Sequence, residues 1–204
     1  MTEREITPTQ SAFLDLKEER AGMREGYGFL DEKRLILASE ILEELHGYEE
    51  EMAGFRDAYT KAAEALQAAV VRHGLEGLEF YPKAQTIGAK LHIESRSVLG
   101  VTVQQGACEV AEHKPLIPPV DASPEAEQCR DAFLDLIPRA ARLAVLSGNL
   151  ERLRLEYTRT ARRARALEDV LLPEIDETLR VIAASLEELE REEAMRVRHM
   201  RREP

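Results

Sequence analysis

The side chains able to do chemistry in this 204-residue chain are few, and their spacing decides what they could do. His92, Cys108, His113 and Cys129 are of the types that bind zinc, but their spacing matches no common zinc site. They read as scattered polar residues. Glu187-Glu188 and Glu192-Glu193 could supply a general acid and base if a pocket surrounded them. On a charged helical stretch they read as a solvated face. Gly26-Tyr27-Gly28 lacks the third glycine of a dinucleotide loop and lies in a helical pattern, and no phosphate-binding GxxxxGK[ST] loop is present. HExxH and GxSxG are also absent. The basic run Arg159, Arg162, Arg163, Arg165 has no interleaved aromatics and sits in a chain of net charge −11. It suits an acidic protein surface better than a nucleic acid. The C-terminal Arg196, Arg198, Arg201 and Arg202 also suit the negative end of their own helix. No catalytic, cofactor-binding or metal-ligating residue is assigned, and no cofactor is expected.

The elements that carry these residues are long helices. Thr7-Pro8-Thr9-Gln10 reads as a helix start, with Thr7 as cap, Pro8 in the first turn and Gln10 completing a capping box. A narrow apolar stripe then runs through Leu16, Met23, Tyr27, Leu30, Leu37, Ile41, Leu45, Tyr48, Met52, Phe55, Tyr59, Ala62 and Leu66 in steps of three and four. The double step of four at Leu37, Ile41 and Leu45 is a stutter. The helix is expected to end near His73-Gly74, a span of roughly 100 Å from residue 8 at about 1.5 Å per residue. Gly22, Gly26 and Gly28 predict a weak or bent stretch, or a close approach to a partner.

Residues 74–124 change character. Alternating β-formers in residues 90–94 and 97–103 predict a short hairpin, with Gly100 weakening its second strand. Pro115, Pro118 and Pro119 make an extended connector. Ser123-Pro124-Glu125 opens a second helix. Its stripe runs from Phe133 through Leu136, Ala140, Leu143, Leu146, Leu150, Leu153, Tyr157, Thr160, Ala164 and Leu167 to Leu171, Ile175, Ile182, Leu186 and Leu189. Pro138 and Pro173 lie inside it, and each predicts a kink or break. The fold class expected is mainly α. It is a long antiparallel two-helix coiled coil of arms 1–73 and 125–204, with the middle segment 74–124 carrying a short β-hairpin at the turn.

Composition agrees: 44% hydrophobic, 33% charged, only 5% aromatic and no Trp, which is the balance of long helices. The first 73 residues hold 9 Lys/Arg against 16 Asp/Glu, and residues 125–204 hold 15 against 17. Two cysteines in no paired framework suggest a reducing cytoplasm. No signal peptide and no membrane-length apolar run is read, so a membrane link is expected to go through partners.

The same residues carry a resemblance. Pro8-Thr9 with Leu14-Asp15-Leu16-Lys17, then Gly26, Leu30, Lys33 and Arg34, then Ser97-Val98-Leu99-Gly100-Val101, are similar to motifs of the D subunit of V-type and A-type rotary ATPases. Thr160-Ala-Arg162-Arg163-Ala-Arg165-Ala166-Leu167-Glu168, Leu172-Pro173, Thr178 and Leu189-Glu190-Arg191-Glu192 resemble the family's TRRRVNALE…IP…T…LERE. Glu18-Glu19-Arg20-Ala21 and Arg165 depart from the family pattern.

The resemblance implies a non-catalytic central-stalk subunit of an ATPase or ATP synthase. Such a shaft transmits torque between a nucleotide-binding ring of A and B subunits and an ion-translocating membrane rotor. It also implies a small companion, the F subunit, and a membrane-coupling C/d subunit. Arg159, Arg162, Arg163, Arg165, Lys33 and Arg34 are the candidate partner contacts. Two other readings stay open: a cytoplasmic coiled-coil adaptor or tether, and a small catalytic or metal-binding middle domain.

Overall fold

A computed structural model describes residues 7–81, 89–110, 119 and 121–200. Pro115, Pro118, His113, Arg201 and Arg202 lie outside them. Helix α1 spans Gln10–Glu79, strands β1 and β2 span Lys90–Val98 and Val101–Glu109, helix α2 spans Pro124–Ala166, a π-helical turn covers Leu167–Leu171, and helix α3 spans Leu172–Met200. The chain is mainly helical, with one two-stranded antiparallel hairpin. It divides into two compact units: residues 37–156 form one, and residues 1–36 with 157–204 form the other.

The helix starts show what sequence can and cannot place. The Ser123 hydroxyl accepts the Ala126 N–H at 3.2 Å, and Pro124 opens α2, as expected. At α1 the cap is Thr9, not Thr7: its hydroxyl accepts the Ala12 N–H at 3.2 Å. Pro8 therefore precedes the helix, and Gln10 falls on its first residue. Helix α1 continues through Gly22, Gly26 and Gly28, where an added Cβ would meet nothing described within 4 Å. It breaks at Gly74 (φ 70°, ψ 169°), a left-handed φ that glycine tolerates, and helical geometry then resumes to Glu79.

In the unit of residues 37–156, α1 and α2 pack antiparallel. Asn149 bonds Glu44, Gly47 lies against Leu146, Glu51 pairs with Arg142 and Gly54 meets Arg139. Each advance of three or four along α1 is matched by an equal retreat along α2. The α1 seam is Leu37, Ile41, Glu44, Tyr48, Glu51, Phe55, Ala58, Ala62, Ala65 and Ala69, all buried or half-buried. It keeps an unbroken alternation of four and three, so the stutter expected at Leu45 is absent. Leu45, Tyr59 and Leu66 stay 38%, 55% and 41% exposed. Alanines let the helices approach, and Glu44 and Glu51 are tolerated because each finds a polar partner on α2.

In the other unit, Leu16 of α1 packs with Ile175, Leu179 and Ile182 of α3, and Phe13, Met23 and Leu186 close over them. Burying each such side chain contributes about 1.5–3 kcal/mol. Arg20 pairs with Asp176 at 2.5 Å. Burial, then the charge of Glu168 and a hydrogen bond to it, push the Tyr27 phenol above its usual pKa.

The two prolines behave differently. Helix α2 continues through Pro138, so of the expected kink or break the break is absent there. Before Pro173 the helix widens instead: the Leu172 N–H bonds the Leu167 carbonyl, five residues back. The wider turn makes room for the proline ring, which an α-helical turn would press against a carbonyl. The extra residue also moves Leu171 off the expected seam, leaving it 38% exposed, while Ile175 is buried.

Candidate functional site: a clamped hairpin and a cationic helix face

Val98 faces Val101 in the hairpin, so the turn is the two residues Leu99 and Gly100, both with positive φ (48° and 88°). That is the type I′ signature. Gly100 is thus a turn residue, not a weak point inside a strand, and the second strand starts at Val101. Leu99 pays for the conformation: a residue with a Cβ costs about 1–2 kcal/mol there.

The Asn149 side chain, fully buried in α2, holds the outer edge of β2. Its carbonyl accepts the Gln104 N–H at 2.9 Å, and its amide donates to the Gln104 carbonyl at 2.7 Å. A side-chain amide here takes the place of a neighbouring strand's peptide group. The remaining amide hydrogen goes to Glu44 at 3.1 Å, and Arg152 donates to the same Asn149 oxygen at 2.6 Å. Asn149 thereby makes all four hydrogen bonds its amide can make. Arg152 also donates to the Thr102 carbonyl at 2.9 Å. From the other strand, Arg96 bonds Glu40 of α1. At Gly106 a Cβ would come within 2.7 Å of Val145, so the strand approaches α2 as only glycine allows.

A second polar cluster joins the end of α1 to the start of α2. His73 Nε2 lies 2.5 Å from Ser123 Oγ, and its Nδ1 lies 3.7 Å from Asp121. These are the residue types of a hydrolytic triad. The Ser123 residue is only 4% exposed, its oxygen already caps α2, and 3.7 Å is too long for a hydrogen bond. The arrangement fixes a helix start. Tyr81 lies tilted against the His73 ring and donates to Glu127 at 3.3 Å. Burial pushes its phenol up; a backbone hydrogen bond at Ser123 pulls it down, and Glu127 raises it again.

The predicted contact residues fall on α1 and α2. Arg159, Arg162, Arg163 and Arg165 are all exposed, on the side of α2 opposite Leu153, Thr160 and Ala164. Lys33 and Arg34 are half-buried on α1, and Arg34 bonds Asp31 at 2.5 Å. Among the described residues, nothing draws the six into one pocket. Cys108 and Cys129 are unpaired, and among the described residues no group of His, Cys, Asp and Glu is placed to hold a metal. No helix of the described residues is long and apolar enough to cross a membrane.

Sequence reasoning missed the clamp of Asn149, Glu44, Gln104, Arg152 and Arg96. One signal was available. Asn149 lies three residues after Leu146 and four before Leu153, in phase with the buried stripe, as Leu150 also is.

Comparison with known proteins agrees along the chain. The profile of the family described as the ATP synthase D subunit matches residues 12–202. The D subunit of the V-type ATP synthase of Thermotoga neapolitana is 30% identical over 96% of this chain and 97% of its own. The D subunits of the A-type ATP synthases of Thermococcus sibiricus and Pyrococcus furiosus are 29% and 28% identical, each over 96% of this chain and 93% of theirs. The chain belongs to the ATP synthase D subunit family.

Proposed function

We propose that this chain is the central-stalk shaft of a V/A-type rotary ATPase. It would carry torque between ATP hydrolysis or synthesis in a ring of A and B subunits and ion translocation in the membrane. A small F subunit and a membrane-coupling C/d subunit complete the stalk in this reading. The shaft performs no bond chemistry and is peripheral to the membrane on its cytoplasmic side.

Family membership supports this reading, and one structural observation carries it further. The antiparallel register between α1 and α2 is supported by polar contacts as well as apolar ones: the buried Asn149–Glu44 hydrogen bond and the partly exposed Arg142–Glu51 ion pair. A helix pair under torsion must resist sliding. An apolar seam alone can slip by a turn, whereas a slip here would part the buried Asn149 and Glu44. The exposed arginines at positions 159, 162, 163 and 165 offer a cationic face to an acidic ring surface.

Deleting residues 1–15 together with 190–204 tests the mechanical role. The assembled ring should keep hydrolysing ATP while coupling to ion transport weakens; normal coupling would remove the mechanical role from these ends. Purification of the full chain without any ATPase subunit would favour an adaptor or tether.

A further inference from the structure

The hairpin has two edges, and the molecule treats them differently. On β2, Gln104 turns its N–H and its carbonyl outward to Asn149, and Thr102 turns its carbonyl outward to Arg152. Gln104 faces Ser95. That pair is therefore the kind whose backbone groups point away from the partner strand. By alternation, the outward groups of β1 are those of Leu91, Ile93, Ser95 and Ser97. All eight residues from Lys90 to Ser97 are exposed. Among the described residues, no side chain or backbone group bonds this edge.

Leu99 adds an independent observation. Its backbone is left-handed where asparagine or glycine would be at ease, yet the position carries a leucine that is 38% exposed. Local strain at an exposed apolar side chain is not explained by the stability of the free hairpin. Leu91 and Ile93, 57% and 50% exposed, continue the apolar character along β1.

We propose that the β1 edge and Leu99 form a docking surface for a β-strand of a neighbouring subunit, with an apolar pocket receiving the leucine. The clamp on β2 holds the hairpin rigid, so the open edge is presented already ordered. Side chains of α2 answer outward groups of only Thr102 and Gln104 on β2; a strand is the occupant that matches the whole row on β1, because its own peptide groups recur at the same two-residue spacing as those of Leu91, Ile93, Ser95 and Ser97. The inference rests on the chain working within a larger assembly, as proposed above.

Two measurements on the full chain and its assembled complex test it. The Ile93 and Ser95 amides should exchange hydrogen quickly in the free chain and at least about tenfold more slowly in the complex. Equal rates in both states, with the chain demonstrably assembled, would overturn the proposal. Failure to assemble at all would overturn the stalk reading instead. The second measurement uses Leu99→Asn, which gives the turn its preferred residue. The variant should melt no lower than the natural chain yet bind the rest of the complex about tenfold more weakly. A variant that is more stable and binds equally well would show that Leu99 has no docking role. Dimerisation of the free chain through β1 would identify a second copy as the occupant and contradict the proposal.

Discussion

The two units hold paired helices by different means. Leu16, Ile175, Leu179 and Ile182 make an apolar cluster in the unit containing both chain ends. In the unit of residues 37–156 the fully buried Asn149 bonds the buried Glu44, and the hairpin hangs on the same network. Apolar contact is non-directional and gives stability without fixing one alignment. A satisfied polar network specifies register, because every other alignment leaves groups buried and unpaired. We conclude that the unit bearing the hairpin adds a buried, satisfied polar network to its apolar seam, whereas in the other unit the Arg20–Asp176 pair lies partly exposed beside an apolar cluster.

Asn149→Leu attacks that distinction most strongly. It strands the Gln104 peptide groups and removes the Glu44 hydrogen bond, leaving that carboxylate only Arg96 at 3.9 Å, and should cost about 4 kcal/mol. Denaturant unfolding would measure the loss, and the Gln104 amide should lose its protection from exchange. A neutral substitution would mean that the polar network adds nothing to register. Ile182→Ala should cost about 3 kcal/mol through the cavity it leaves, with Gln104 protection unchanged. Loss of hairpin protection in that variant would erase the distinction between the units. The smallest effect concerns Cys129. Burial pushes its thiol up, so at pH 8 less of it is thiolate and alkylation should run several-fold slower than for a free exposed cysteine. Labelling at the ordinary rate would show that the start of α2 is more open than described.

Much of this fold was legible in the sequence. Helical periodicity gave the two arms, Ser123-Pro124 gave a helix start, and the alternation in residues 90–94 and 97–103 gave a hairpin, although the turn falls at Leu99-Gly100, inside the second of those stretches. The seam of α1 beyond Ile41 was not legible, for a definite reason. Two stripes compete there, both passing through Tyr48, Phe55 and Ala62. One adds Leu45, Met52, Tyr59 and Leu66; the other adds Glu44, Glu51, Ala58 and Ala65. Hydrophobicity favours the first. The structure buries the second, because Asn149 and Arg142 on α2 answer the two glutamates. That answer lies about a hundred residues away in the chain and cannot be read from a local pattern. Pro138 teaches a similar lesson, since α2 accommodates it without a break whereas Pro173 is accompanied by a π turn. The cationic residues were read from the sequence as contacts for a partner; within the chain Arg34 bonds Asp31, and nothing among the described residues gathers the six.

The central claim is that this helix pair turns inside a ring. It is tested most directly by attaching a visible probe to the chain in an assembled, surface-fixed complex and adding ATP. Unidirectional, ATP-dependent rotation of the probe is the predicted result. A stationary probe on a complex that is hydrolysing ATP would contradict it.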